Sequence, residues 1–447
     1  MAGDGNTLIL LTLGAVALLL VLILVGRMHA FLALLLASMA LGLWSGMEPP
    51  RVIESIKNGL GNAMGSIAII LALGAMIGRF LEYSGGGRVL AGWCLERFGQ
   101  RHAAWAVLTG AFIIGLPIFF DVAFIILAPI IWNLARESKR SILYFGLPVA
   151  AALTVTHALV PPHPAPAAAA AALGADLGKT ILYGILVCIP MAIVGGIVYG
   201  GWIAKRIHAP APQIAESLAR RDEGSSFPPP PVSLVLAVLL LPIGLIFLGT
   251  IAEMGDLPGR QLLLFLGDPV SALAIALFVA MWWFGFRRGL GRDRVTQMAG
   301  QALGPIASLL LITAAGGSFK QVITDCGVGP YAGNLLAETG ISPLIVAYLI
   351  AVMLRIAQGS ATVAIITAAG IVAPIVANIE GYAPEMLVLA LACGGTMLSH
   401  VNDSGFWIVN QYLGLTVPQT LKSWSVMKII VSVVGFSIVM AAHALFF

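Results

Sequence analysis

Charge is scarce in this chain. Asp, Glu, Lys and Arg make up 10% of its 447 residues, against 59% hydrophobic residues, and the mean hydropathy is +0.99. Soluble domains carry about 25% charged residues, so a water-soluble globular fold is excluded and the bilayer must serve as solvent. In hydrocarbon every backbone polar group has to be satisfied internally, which leaves helices or closed barrels. The apolar runs Leu8–Val25 and Val232–Leu248 approach the roughly 20 residues of a spanning helix. They show no period-two alternation, which excludes a barrel. An all-α polytopic membrane protein remains.

Cysteine is almost as rare. Cys94, Cys188, Cys326 and Cys393 form no CxxC pair, so packing roles are expected, with no metal site and no cofactor. The HExxH and GxGD signatures of intramembrane hydrolases are missing. That leaves a hydrolase built on His157, His163 and Asp403 as a remote alternative and argues against an enzyme. No basic n-region precedes the first apolar run, which follows Asp4, and no small-residue cleavage site comes before Gly26-Arg27-Met28-His29. The first run is therefore expected to be a span and not a cleaved signal peptide. A net charge of +4 reads as basic cytoplasmic loops, not as a nucleic-acid surface.

What the chain has in plenty is apolar segments of helical length. Spans are expected at 7–26, 30–46, 63–83, 142–159 and 179–204, then at 232–251, 269–286, 302–324, 386–399 and 425–446. Shorter helical pieces fall at 164–174 and 405–413, with long segments at 103–135 and 343–378. Residues 206–231, with RRDEGSS and a run of four prolines, read as a Pro-rich charged linker.

The two sets repeat one another. LTVTHALVPP from Leu153 overlays on the stretch ending HVNDSG, placing Thr156-His157 on Ser399-His400 and Val160-Pro161-Pro162 on Asp403-Ser404-Gly405. SIAIILALGAMIGRFLEYSGGG from Ser66 overlays on SLLLITAAGGSFKQVITDCGVG from Ser308, and Asp121-Val122-Ala123 on Thr362-Val363-Ala364. All three pairings keep the offset within about two residues, which points to internal duplication. Residues 1–205 and 232–447 are the two repeats.

Charge gives their orientation. Segment 103–135 has Arg97, Arg101 and His102 before it and Arg136, Lys139 and Arg140 after it, so both ends are expected on the cytoplasmic side. It is too short for two spans of about 20 residues; a re-entrant hairpin turning near Gly115-Leu116-Pro117 fits. Its counterpart 343–378 is flanked by Glu338, Glu380 and Glu385 and should enter from the other face, making the repeats inverted in topology. Each repeat also has a broken helix, at 158–166 (VPPHPAP, where prolines remove amide donors) and at 399–405. Hairpin tips and breaks meeting at membrane depth describe a secondary-transporter site.

The candidate residues follow from that placement. Ionisable groups at membrane depth mark substrate or proton paths. Asp121 at the first tip either caps the second hairpin helix or acts as a proton carrier or site wall. Asp403, beside Asn402 and Ser404, has the same two readings. His157 and His400 occupy matching positions and His163 lies between prolines; each is a packing residue or a proton relay. The second tip carries Gln358, Gly359, Ser360 and Thr362, with hydroxyls and close backbone approach for a ligand. Arg355 is either a counter-charge for an anion or a side chain that snorkels to the interface, the second being preferred, and Arg79 and Lys320 are expected to be interfacial.

These residues carry a resemblance. SIKNGLGNAMGSIAIILALGAMIGRFLEYSGGG, GLPIFFDVAFIILAP, ALTVTHALVPPHPAPAAAA and GGTMLSHVNDSGFWIVNQYLG are similar to the gluconate permease (gluconate:proton symporter) family of bacterial inner membranes. The resemblance runs from about residue 8 to 446, and the PPHPAP and SHVNDSGFW blocks are its specific parts. It implies multi-pass inner-membrane placement, proton-coupled uptake of gluconate or a related sugar or hydroxy acid, elevator-type movement and a homodimer. Substrate contacts would come from Asp121, Thr156, His157, Gly359, Ser360, Thr362, His400, Asn402 and Ser404, and proton coupling from Asp121, His157, His163 or Asp403. D-serine and other small hydroxy carboxylates are alternative substrates. Na⁺ coupling is a further alternative, although Na⁺-coupled members of the wider superfamily typically carry Ser-Asn-Thr where this chain has Ser360-Ala361-Thr362. The partners implied are a small anion and membrane lipid, with no nucleic acid.

Overall fold

A computed structural model describes residues 5–210, 212, 228–253, 259–328, 338–377, 379, 382–400 and 403–446. All regular structure among them is helical. Seven helices among the described residues are long and apolar enough to cross a membrane, and side chains such as Leu13, Leu186, Phe278 and Trp282 point outward, as a lipid-facing surface requires. The chain is a multi-pass membrane protein. Part of the 206–231 linker, at 211 and 213–227, lies outside the described residues, as do Glu380 and Asn402.

The helix Pro49–Ser84 is much longer than the expected 63–83. Pro49 and Pro50 start it at positions where a missing N–H costs nothing, and Gly85 ends it at φ 73°, a left-handed conformation suited to glycine. Its first four turns carry Arg51, Glu54 and Lys57, so no apolar run announced them. This helix packs along Leu303–Asp325, its overlay partner in sequence. They cross at Gly59 and Gly317; a Cβ at Gly59 would lie 2.7 Å from the Cβ of Gln321, so only glycine permits the contact.

Two helix pairs have a short connection. Ala103–Ile114 is followed by Phe120–Ser138, and Pro343–Gln358 by Ala361–Val376. The second connection is minimal: Gly359 closes one helix at φ 78° and Ser360 caps the next, its hydroxyl accepting from the N–H of Val363 at 3.3 Å. Two further helices are interrupted. Leu143–Leu159 resumes as Pro164–Leu173, and Pro384–Thr396 resumes as Ser404–Tyr412. Lys320, expected at an interface, instead donates to the carbonyl of Ala172 at 2.6 Å and so caps the C-terminus of Pro164–Leu173.

These four units form the interior. The Leu143–Leu173 window is 89% buried within the protein, against 22% for Val417–Phe446, so the interrupted helix is core and the last helix borders lipid. The packing is reciprocal. Ala103–Ile114 lies on Leu143–Leu159, and Pro343–Gln358 on Pro384–Thr396. Pro164–Leu173 lies on Ala361–Val376, and Ser404–Tyr412 on Phe120–Ser138. Three short helices, Gly86–Phe98, Arg260–Gly267 and Arg292–Gln301, were not legible as spans because each is brief and partly polar.

Candidate functional site

The interruptions leave helix N-termini facing inward. Residues 119–122 at the start of Phe120–Ser138, 360–362 at the start of Ala361–Val376, and 403–405 at the start of Ser404–Tyr412 all border one cavity of about 850 Å³. Three helix N-termini pointing at one space favour negative charge there, although Ser360 and Asp403 each cap one of them. Ionisable side chains on the same wall are Arg79, Glu82, Asp121, His157, Arg355, Asp403 and Lys428, with Gln358, Ser360, Thr362, Ser404 and Trp424 among the neutral ones.

Arg355 does not snorkel. It is 1% exposed because the helix carrying it ends at the break and its guanidinium turns inward. Its Nη2 forms an ion pair with Asp403 Oδ2, Nη1 donates to the Gly359 carbonyl, and Nε donates to the Met397 carbonyl at 3.2 Å. The second tip and the second break are thereby tied together. Asp403 also accepts from the Ser399 hydroxyl at Oδ2 and from the N–H of Gly405 at 3.0 Å at Oδ1. It therefore caps the Ser404–Tyr412 helix and neutralises Arg355 at once. Ser399 Oγ accepts from Trp424 Nε1 at 2.6 Å, which fixes the indole against the break.

The first break is held differently. His163, 3% exposed, lies with Nε2 2.7 Å from the Gly115 carbonyl and Nδ1 3.2 Å from His157 Nδ1. A carbonyl only accepts, so His163 carries its proton on Nε2 and its Nδ1 accepts from Nδ1–H of His157. His157 Nε2 is then the remaining acceptor of the pair. His157 can gain a proton at Nε2 without disturbing this chain, whereas a proton added to His163 would set two donors against each other. Phe119 lies edge-on to both imidazoles, at 5.8 and 5.9 Å.

The other candidates separate into two groups. Asp121 sits in the first turn of its helix but does not cap it; its side chain is exposed to the cavity and, among the described residues, makes no ion pair. His157, Gly359, Ser360, Thr362 and Ser404 also border the cavity. Thr156 does not: its hydroxyl donates to the carbonyls of Ala152 and Leu153 within its own helix. His400 is likewise outside the wall, with Nε2 3.2 Å from the Ile356 carbonyl, where it fastens break to tip. Arg79, expected at an interface, borders the cavity, paired with Glu82 at 2.9 Å and donating to Gln301 at 3.2 Å. Lys428 and Trp424 were not anticipated at all. Among the described residues no three His, Cys, Asp or Glu side chains converge as metal ligands would.

Comparison with known proteins agrees in sequence and in shape. The family model described as GntP family permease matches residues 6–445. The chain is 41% identical to the gluconate permease of Pseudomonas aeruginosa, covering 93% of each. It is 42% identical to the high-affinity gluconate transporter of Escherichia coli K12, covering 96% of this chain and 97% of that one. The crystal structure of the YdaH transporter of Alcanivorax borkumensis superposes with a TM-score of 0.64 at 14% identity, over 93% of this chain and 98% of that one, a likeness of fold.

Proposed function

The chain belongs to the GntP permease family, and from that premise we propose that it takes up gluconate, or a closely related sugar acid, together with a proton. The relatives' names supply the substrate class, and the name of a further relative, an inner membrane permease of Escherichia coli K12 that is 39% identical, supplies the bacterial inner membrane. The charge balance of the cavity supports the coupling. Its wall carries three carboxylates, Glu82, Asp121 and Asp403, and three basic side chains, Arg79, Arg355 and Lys428. Two pairs cancel by contact, Arg79 with Glu82 and Arg355 with Asp403. With Lys428 protonated and Asp121 ionised the empty wall is neutral, so a bound monoanion leaves one negative charge in a low-dielectric space, which is costly. One proton on Asp121 restores neutrality. The stoichiometry is one proton per anion, and Asp121, not the arginine-bound Asp403, carries it.

The movement we infer is of elevator type: the hairpins and interrupted helices travel as one body past a scaffold containing Pro49–Ser84 and Leu303–Asp325, in a homodimer of chains with two inverted repeats. The reciprocal packing of the two hairpins against the two interrupted helices supports this. Protonation of His157 is a second route for the coupling proton, favoured by the free acceptor at its Nε2.

The test is uptake of labelled gluconate into proteoliposomes with an acid exterior and no Na⁺. Wild type is expected to accumulate it, and Asp121→Asn to lose accumulation while keeping gluconate exchange. A requirement for Na⁺ would overturn proton coupling. Full accumulation by Asp121→Asn would move the proton to His157, to be checked with His157→Gln.

A further inference from the structure

We propose that Lys428 is the seat of the substrate's carboxylate, and that Gln358 at the second tip reads its hydroxyl groups. The assignment rests on the sugar-acid reading above and names the two subsites within it. It starts from which cations still have a charge to offer. Arg355 has its Nε, Nη1 and Nη2 all engaged, with Met397, Gly359 and Asp403. Arg79 is held by Glu82 and Gln301 and is about one-third exposed in its side chain. Lys428 is 4% exposed and borders the cavity, yet its Nζ makes no hydrogen bond or ion pair among the described residues. It lies over the ring of Trp424, 5.4 Å from Nζ to centroid.

A buried ammonium in that state strongly favours an anion, because the cost of removing it from water is several kcal/mol and a ring face offsets only part of it. Arg355 repels it and Asp403 attracts it, but both Asp403 oxygens are already engaged, by Arg355, Ser399 and Gly405. The ammonium is also well positioned. Trp424 is pinned through Nε1 to Ser399, so the surface beneath the lysine is rigid and tied to the second break. A carboxylate arriving at Nζ would meet three donors on a side chain already held in place.

Gln358 supplies the complementary observation. Its Oε1 and Nε2 are both buried and both without a partner among the described residues, on the wall of the same cavity. An unmade pair of this kind costs about 1–3 kcal/mol per group. A carboxylate would satisfy only the NH₂. A hydroxyl both donates and accepts, so adjacent hydroxyls of a polyol chain satisfy the whole amide, and the hydroxyls of Ser360 and Thr362 lie on the same tip. The two subsites together select an open-chain polyhydroxy monocarboxylate over an uncharged sugar and over a simple short acid.

Equilibrium binding of D-gluconate and of uncharged D-gluconamide to the full chain in nanodiscs tests this. Wild type is expected to prefer gluconate, and Lys428→Gln to lose at least about 30-fold of gluconate affinity, the fold-change of removing one partner of a buried charge pair. Its affinity for gluconamide should change by less than about 3-fold, which also reports that the variant is folded; Gln358→Leu should weaken both ligands together. Equal loss of both ligands in Lys428→Gln, or unchanged gluconate affinity, overturns the assignment while leaving the sugar-acid reading intact. Wild type that binds the two ligands alike overturns it without any variant. Wild type that binds no sugar acid overturns both readings.

Discussion

Where the first helix break is held by two imidazoles and a carbonyl, the second is held by a carboxylate, a guanidinium, a hydroxyl and an indole. The two stretches overlay in sequence, His157 on His400 and Val160 on Asp403, and both interrupt a helix in the protein interior. In the first, prolines remove the amide donors that would otherwise need partners, so a neutral chain from His157 through His163 to Gly115 is enough. In the second there is no proline, and Asp403 accepts from the N–H of Gly405 while balancing Arg355. The lesson is that two stretches that overlay in sequence can both break a helix while only one of them is charged. The second half of the chain brings Arg355, Asp403 and Lys428 to the cavity, and the first brings the Arg79–Glu82 pair and the free carboxylate of Asp121.

The comparison predicts unequal sensitivity. Arg355→Ala is the most damaging single change, because it leaves Asp403 buried without the guanidinium that pairs with it; a loss of about 3–5 kcal/mol is expected, read as a fall in thermal stability of the purified protein. Replacing both residues together, as Arg355→Met with Asp403→Leu, should recover much of that loss while still abolishing uptake, because stability follows charge balance and uptake does not. A double variant no more stable than Arg355→Ala would mean that the pair holds the second break by geometry and not by compensation.

The first break should suffer less. His163→Ala leaves the Gly115 carbonyl without its donor and His157 Nδ1–H without its acceptor, at a cost of about 1–3 kcal/mol. His163→Gln, which can still donate to the carbonyl, should recover part of it. If His163→Ala proves as costly as Arg355→Ala, the neutral break is not the weaker-held one and the contrast between the copies fails.

How much of this was legible depends on the range of each signal. The breaks and tips could be read because prolines, glycines and polar clusters interrupt apolar runs locally; thus Gly359, Ser360, Asp121 and Asp403 were found from neighbours alone. Arg355 was misplaced because its partner lies in another segment of the chain and no periodicity links them. Lys428 was missed for a different reason. With the last span expected to begin at 425, a lysine three residues in belongs at the interface; the helical stretch in fact begins at Val417, which puts Lys428 about 16 Å along it. The rule that ionisable groups at membrane depth mark substrate or proton paths would have found Lys428 had the helix start been known. Thr156 and His400 show the converse: the residue type was right for a ligand, but the nearest carbonyl claimed the hydrogen bond.

The finest test of the contrast is Ser399. Its hydroxyl donates to Asp403 and accepts from Trp424, so it joins the ion pair to the indole under Lys428, while Thr156, its overlay counterpart, bonds only to its own helix. Thr156→Val removes a hydroxyl whose bonds are local and redundant, and the effect on stability and on uptake should be small, under about 0.5 kcal/mol. Ser399→Ala removes one net hydrogen bond to a charged group and leaves Trp424 Nε1 unpaired, about 1.5–3 kcal/mol in all. Its consequence for function should exceed its consequence for folding, because a loosened Trp424 no longer fixes Lys428. An increased KM for gluconate uptake in Ser399→Ala, beside an unchanged KM in Thr156→Val, would show that positions matched in the sequence overlay do unlike work. Equal shifts in both would mean that the two breaks still act as one symmetric pair.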